Sequence, residues 1–227
     1  MRITDPKEIA KYIDHTVLKP IASATDVGKL CAEAKEYGFA SVCINPYYVA
    51  LAKRLLMGSK VKVCTVIGFP LGATTKEAKA MEAIKAVADG AEEVDMVLNV
   101  SAMKSGDLKY VGEDIKLVVD SVPEDICVKV ILETCYLTKD EIKKASEIAK
   151  ESGADFVKTS TGFGTGGATV EDVKIMRQVV GPNLGVKASG GVKDFETAVQ
   201  MIEAGATRIG TSSGVTMVAG VKSTSAY

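Results

Sequence analysis

Asp155-Phe156-Val157-Lys158-Thr159-Ser160-Thr161-Gly162-Phe163-Gly164-Thr165-Gly166-Gly167-Ala168 passes from an apolar strand into a loop of four glycines with hydroxyls between them. Two α/β folds open a ligand loop in this way, and this stretch separates them. Gly162, Gly164 and Gly167 satisfy G-x-G-x-x-G between a strand predicted over 154–160 and a helix predicted from Val170 to Val180. An open dinucleotide fold also needs an acidic residue about 20 positions on, at the end of the next strand, for the ribose. That strand, Leu184 to Ala188, carries Lys187 and is followed by Ser189 instead. A dinucleotide half does not fit, which leaves a closed barrel.

Outward from this stretch the same alternation repeats. A strand at Ile13–Leu18 precedes a helix at Ala24–Tyr37, with Val27, Leu30, Cys31 and Ala34 on one face and Gly38 as its stop. Phe39–Ile44 is a strand, and Pro46 opens a helix to Met57. Val61–Gly68 is a strand, and Thr74 or Thr75 caps a helix ending at Gly90. Val94–Val100 is a strand, followed by a helix at Leu108–Ser121 that Pro123 ends. After the strand Ile126–Leu132, Thr138 and Glu141 form a capping box for a helix over Lys139–Ser152. Beyond the glycine loop come a helix at Phe195–Ala204, a strand at Thr207–Thr211 and a closing helical stretch. Eight strand–helix units without a linker predict a single (β/α)8 TIM barrel over residues 1–227. A short helical lead-in near Pro6–Tyr12 and a polar tail ending in Tyr227 flank it.

Bulk properties narrow the partners. The 227 residues are 47% hydrophobic and 25% charged, enough for a sizeable core. A net charge of −1 with no basic block argues against nucleic acid or an anionic membrane. The first residues hold no apolar signal core, and no apolar run is long enough to span a bilayer. The five cysteines are scattered without a C-x-x-C pair and are expected to be reduced thiols in the cytoplasm.

Active sites of such barrels sit at the C-terminal ends of the strands. The polar residues there are Asp14 and Thr16, Asn45, Thr65, Asp95 and Asn99, Lys129 and Glu133, Lys158 and Ser160, Lys187 and Ser189, and Gly210 and Ser212. Asp95, Lys158 and Lys187 stand within otherwise apolar strands, where isolated charges are costly and must be paired. One Asp with one Lys makes an interior salt bridge; the second lysine needs a further reason. Burial and a neighbouring ammonium both disfavour a charged lysine, the route to a nucleophilic amine.

Gly162–Gly167, Ser189-Gly190-Gly191 and Gly210-Thr211-Ser212-Ser213 close the last three strands. Glycines alone permit tight turns. Three clusters before helix N-termini, two of them mixed with serine, point instead to an anion such as one phosphate. His15 is the only histidine, so a multi-histidine metal site is excluded, and neither Cys43 nor Cys135 has a histidine partner for thiolate catalysis.

Phe156-Val157-Lys158-Thr159-Ser160-Thr161-Gly162-Phe163 resembles the Schiff-base strand of the deoxyribose-phosphate aldolase family. So do Glu93–Asn99, Val186–Val192, Arg208–Ser213, Asp14–Thr16 and Val130–Thr134, in order along nearly the whole chain. The resemblance implies reversible retro-aldol cleavage of 2-deoxy-D-ribose 5-phosphate to glyceraldehyde 3-phosphate and acetaldehyde, without metal or cofactor. It assigns the imine-forming amine to Lys158 and proton handling to Asp95 and Lys187. The substrate and its phosphate fall to Gly162, Gly190, Gly191, Gly210, Ser212 and Ser213, with Thr161, Asp14 and Thr16 beside them. It also implies a homo-oligomer, commonly a dimer. In the sixth loop Phe163-Gly164-Thr165 departs from members that carry a cation there. The residues themselves leave two other possibilities open: a phosphosugar isomerase or other aldolase on the same barrel, with Glu133 as an isomerase base, or a phosphate-ligand binding protein with idle lysines.

Overall fold

The computed structural model describes residues 3–221, and the tail ending in Tyr227 lies outside them. After a 3-10 turn at Pro6–Tyr12 the order is β1 (Ile13–Val17), α1 (Ala24–Tyr37), β2 (Ser41–Ile44), α2 (Val49–Leu55), β3 (Lys62–Ile67), α3 (Lys76–Ala88) and β4 (Glu93–Val97). There follow α4 (Val100–Lys104), α5 (Leu108–Asp120), β5 (Cys127–Ile131), α6 (Lys139–Glu151), β6 (Phe156–Lys158), α7 (Val170–Val180), β7 (Gly185–Ser189), α8 (Phe195–Glu203), β8 (Arg208–Thr211) and α9 (Gly214–Val218). The eight strands are parallel and close in sequence order, with β8 pairing back onto β1. This is the expected TIM barrel.

Local chemistry accounts for the element ends. Ser23 and Asp26 form a capping box at the start of α1, and Gly38 ends it in the left-handed conformation. Thr75 rather than Thr74 caps α3, and Thr138 with Glu141 caps α6. Each cap is worth about 1 kcal/mol. Val100 was expected to end a strand but opens α4, because the Asn99 side chain accepts the Ala102 N–H at 3.0 Å and turns the chain. The strand expected over 154–160 narrows to Phe156–Lys158; beyond it single bonds persist, such as Thr159 N to the Lys187 carbonyl at 3.0 Å.

Alternation along the strands sorts the side chains into two layers. Val94 and Met96, Val128 and Val130, Val157, Val186 and Ala188 face outward into the main core, packed by the apolar faces of the helices. The inward residues divide the lumen. On the β1–β3 side Leu18, Cys43, Cys64 and Val66 form a small separate apolar cluster, against which Phe69 packs. The side formed by β4–β8 and β1 carries charge.

Candidate active site

Register places the inward charges in adjoining rows. Asp95 of β4 lies opposite Lys129 of β5, Lys158 of β6 opposite Lys187 of β7, and Lys187 opposite Arg208 of β8. Their side chains form a closed ring of alternating sign. Glu93 bonds Lys129 at 2.5 Å, Lys129 bonds Asp95 at 2.9 Å, and Asp95 bonds Lys187 at 2.7 Å. Lys187 bonds Asp14 at 2.5 Å, Asp14 bonds Arg208 at 2.5 Å, and Arg208 returns to Glu93 at 3.2 Å. Three carboxylates thus face three cations. Lys158 is the seventh charge and stands outside the ring, held by one bridge of 2.8 Å to the Asp95 oxygen that Lys187 also uses.

Burial raises the Asp95 carboxyl, but Lys129, Lys158 and Lys187 together hold it well below the usual range, so it is a carboxylate. Burial opposes the charge on Lys187, yet Asp14 and Asp95 outweigh it and keep the group an ammonium above the usual lysine range. Lys129 is likewise held charged against burial, by Asp95 and Glu93. Every ring member therefore has a neutralising neighbour on each side. Lys158 has a single carboxylate to favour its charge, and Lys187 on the same oxygen to oppose it.

Gly210 is explained by contact: a Cβ there would lie 3.1 Å from Cε of Lys187 and 2.9 Å from Cβ of Ser189. Its bare backbone lets the Lys187 stem lie flat across β8, which puts Gly210 in the barrel wall. Asp14 is fully buried within the ring, and the Thr16 hydroxyl donates to the Asp14 carbonyl at 2.8 Å. Asp14 is thereby committed to the ring, whereas Thr16 also lines a cavity with Ser212 and Ser213. Gly190 and Gly191 have φ of 81° and 77°, conformations that favour glycine, in the turn after β7. Ser212 is exposed beside Ser213, the N-cap of α9. Both serines line a cavity of about 660 Å³ with Thr16 and Leu18, between β1, α1 and α9. Lys158 is not part of its lining and is only 3% exposed.

Thr161 is committed elsewhere. Its N–H donates to Glu133 at 3.2 Å and its hydroxyl donates to the same carboxylate, while its Oγ1 accepts the Phe163 N–H at 3.0 Å. Glu133 is buried, with φ 56° and ψ 62°, a left-handed backbone that costs a non-glycine residue roughly 1–2 kcal/mol. Thr65 faces the outer layer, its hydroxyl donating to the Ile44 carbonyl at 2.8 Å, and Asn99 is spent on its cap.

The sequence reading left Glu93 and Arg208 without a role and gave Lys129 no partners. The signal was present: Glu93 and Arg208 lie two residues before Asp95 and Gly210, so they share the inward face one layer down. Cys43, Cys64 and Asp95, and likewise Asp14, Cys64 and Glu93, bring three metal-type ligand atoms together. Each group includes a carboxylate already bound to lysine or arginine, and burial, the Cys43 thiol and Asp95 push the Cys64 thiol well up. A divalent cation there would have to displace ring cations.

The model of the DeoC/LacD family aldolases matches residues 8–220. A deoxyribose-phosphate aldolase of Thermoanaerobacter sp. (strain X514) is 66% identical over 92% of this chain and 95% of its own length. One from Brevibacillus brevis is 64% identical over 94% and 96%. Among solved structures, a tetrameric deoxyribose phosphate aldolase from Aeropyrum pernix superposes with a TM-score of 0.87 at 36% identity, covering 96% of this chain and 92% of that one. In sequence and in barrel alike, the chain belongs to the DeoC/LacD family of aldolases.

Proposed function

We propose that this protein is a deoxyribose-phosphate aldolase that cleaves 2-deoxy-D-ribose 5-phosphate reversibly through an imine on Lys158. The observation that carries the assignment is the charge count: the ring is neutral without Lys158, so an uncharged amine there leaves no carboxylate unpaired. Neutral Lys158 attacks C1 of the open-chain sugar, a proton passes from nitrogen to oxygen, and a second proton, from the Lys187 ammonium, lets the hydroxyl leave as water to give the iminium. Only the C2–C3 bond lies where its electrons can flow into that iminium. As it breaks, C2 becomes the terminus of an enamine, the C3 hydroxyl loses its proton, and glyceraldehyde 3-phosphate departs. Protonation at C2 and hydrolysis then release acetaldehyde and restore the amine. Asp95 is the resident proton acceptor and Lys187 the resident donor beside the reacting nitrogen, since the Lys158 and Lys187 nitrogens share one Asp95 oxygen. The Gly162 loop, the Gly190–Gly191 turn and the exposed Ser212 supply the phosphate end.

An isomerase using Glu133 is disfavoured, since both its oxygens are taken by Thr161. Borohydride reduction in the presence of acetaldehyde tests the proposal: a two-carbon adduct is expected on Lys158, and none on Lys158→Arg, whose side chain stays charged. An adduct mapped to Lys129 or Lys187, or none at all, refutes it. The tetrameric relative supports self-association of this chain, which the family resemblance implies is commonly a dimer; light scattering measures the state directly. No helix among the described residues is long and apolar enough to cross a membrane, and their thiols are free, which supports a cytoplasmic setting.

A further inference from the structure

Glu133 combines two unfavourable features at one position. It is a buried carboxylate with no lysine or arginine within ion-pair distance among the described residues, and it sits in a left-handed backbone without being glycine. Groups of that kind persist where surrounding structure requires them, often at functional sites. Its donors come almost wholly from one residue, Thr161, across the β5–β6 boundary: the N–H at 3.2 Å, the hydroxyl, and beyond these only the Cys135 thiol at 3.9 Å. Thr161 in turn accepts the Phe163 N–H. The two amides so engaged flank Gly162, whose own N–H has no protein acceptor among the described residues and whose φ is 89°. On the far side the loop rests on the same carboxylate, since a Cβ on Gly164 would lie 3.1 Å from Cδ of Glu133 and 2.9 Å from Sγ of Cys135.

We infer that Glu133 is a positioning residue which, through Thr161, sets the curl of the loop after β6 and leaves the Gly162 N–H available to the substrate phosphate. This deepens the proposed function and rests on its placing the phosphate at these loops. The carboxylate acts by geometry alone. Each of its oxygens accepts a hydrogen bond from Thr161, which directs the carboxylate into the loop.

The test is a comparison of KM and kcat on deoxyribose 5-phosphate and on unphosphorylated deoxyribose. Glu133→Gln keeps the shape but offers an NH2 where the Thr161 hydroxyl needs an acceptor; Thr161→Val removes the hydroxyl from the other side. Each is expected to raise KM for the phosphorylated sugar about tenfold, the usual effect of one lost charge-assisted hydrogen bond, with kcat within about threefold. KM for deoxyribose should move less than about twofold, and the Ki of inorganic phosphate should weaken in parallel. The double variant should be no worse than the worse single, and Thr161→Ser should restore the wild-type KM. Equal losses on both sugars, a fall in kcat alone, or additive effects overturn the inference. If Glu133→Gln does not fold, Thr161→Val carries the same expectation. Borohydride trapping with acetaldehyde on the unmodified protein is read separately, so a missing Lys158 adduct condemns the aldolase assignment and not the loop.

Discussion

Replacing Lys187 by methionine tests whether the ring tunes the amine beside it. In the native lumen three carboxylates meet three ring cations, and Lys158 is surplus. In Lys187→Met the carboxylates meet only Lys129 and Arg208, and Lys158 must stay protonated to restore balance. The two lysine nitrogens share one oxygen at 2.8 and 2.7 Å and so lie no more than about 5.5 Å apart. At that separation, with an effective dielectric near 20, a like charge is worth about 3 kcal/mol. Losing it favours the ammonium, so the acid limb of imine formation should move toward alkali. The assay is borohydride trapping with acetaldehyde across a pH series, which reads the imine without requiring turnover. Stability should fall as well, because Asp14 keeps only Arg208 while Asp95 keeps two partners. A loss of about 3 kcal/mol, the low end for a broken buried pair, lowers Tm by ~6–12 °C in a chain of this size. A depressed Tm with an unmoved acid limb refutes the reasoning and makes Lys187 scaffold alone.

Ser212→Asp sets a negative charge beside the phosphate end and should raise KM for deoxyribose 5-phosphate steeply while sparing deoxyribose; equal losses on the two sugars would remove Ser212 from that end. Lys79 of α3 and Asp114 of α5 form a fully buried pair outside the barrel, with Lys79 also donating to the Val97 carbonyl at 2.9 Å. Lys79→Met should cost about 3–5 kcal/mol by stranding the carboxylate, and adding Asp114→Leu should recover most of it; a double variant no more stable than the single contradicts this. Burial pushes the Cys31 thiol up to about 11 and the Cys127 thiol up to about 12. At pH 8 only about one in 1,000 or fewer of these groups is thiolate, so iodoacetamide should modify neither until urea unfolds the chain; rapid native labelling at either position would contradict the burial.

Hydrophobic periodicity carried the barrel, and the boundaries of α1 and α7 fall where Gly38 and the apolar spacing put them. Asp95, Lys158 and Lys187 stand out because a charge inside an apolar strand contradicts its surroundings. For Glu93 and Arg208 the two-residue spacing is a weaker signal, because they stand at strand beginnings, where charge looks like an ordinary solvated end. Only closure of the sheet turns those ends inward. Thr161 read as a ligand group because hydroxyls between glycines suit a phosphate, and nothing local shows that a glutamate 28 residues earlier claims it. Pairings of that span depend on the register between β5 and β6, which one strand alone does not specify.

The closure of the ring also bears on how such a lumen can change over time. In an open chain of salt bridges a terminal member can be lost at the expense of one neighbour. Here each of the six members has a partner on both sides, so any single replacement disturbs two groups at once. Drift through neutral intermediates is closed off, and a viable route exchanges an acid and its adjacent base together. Lys158 lies outside that constraint. Its single bridge is to Asp95, which keeps two other partners, so replacing Lys158 unpairs no carboxylate.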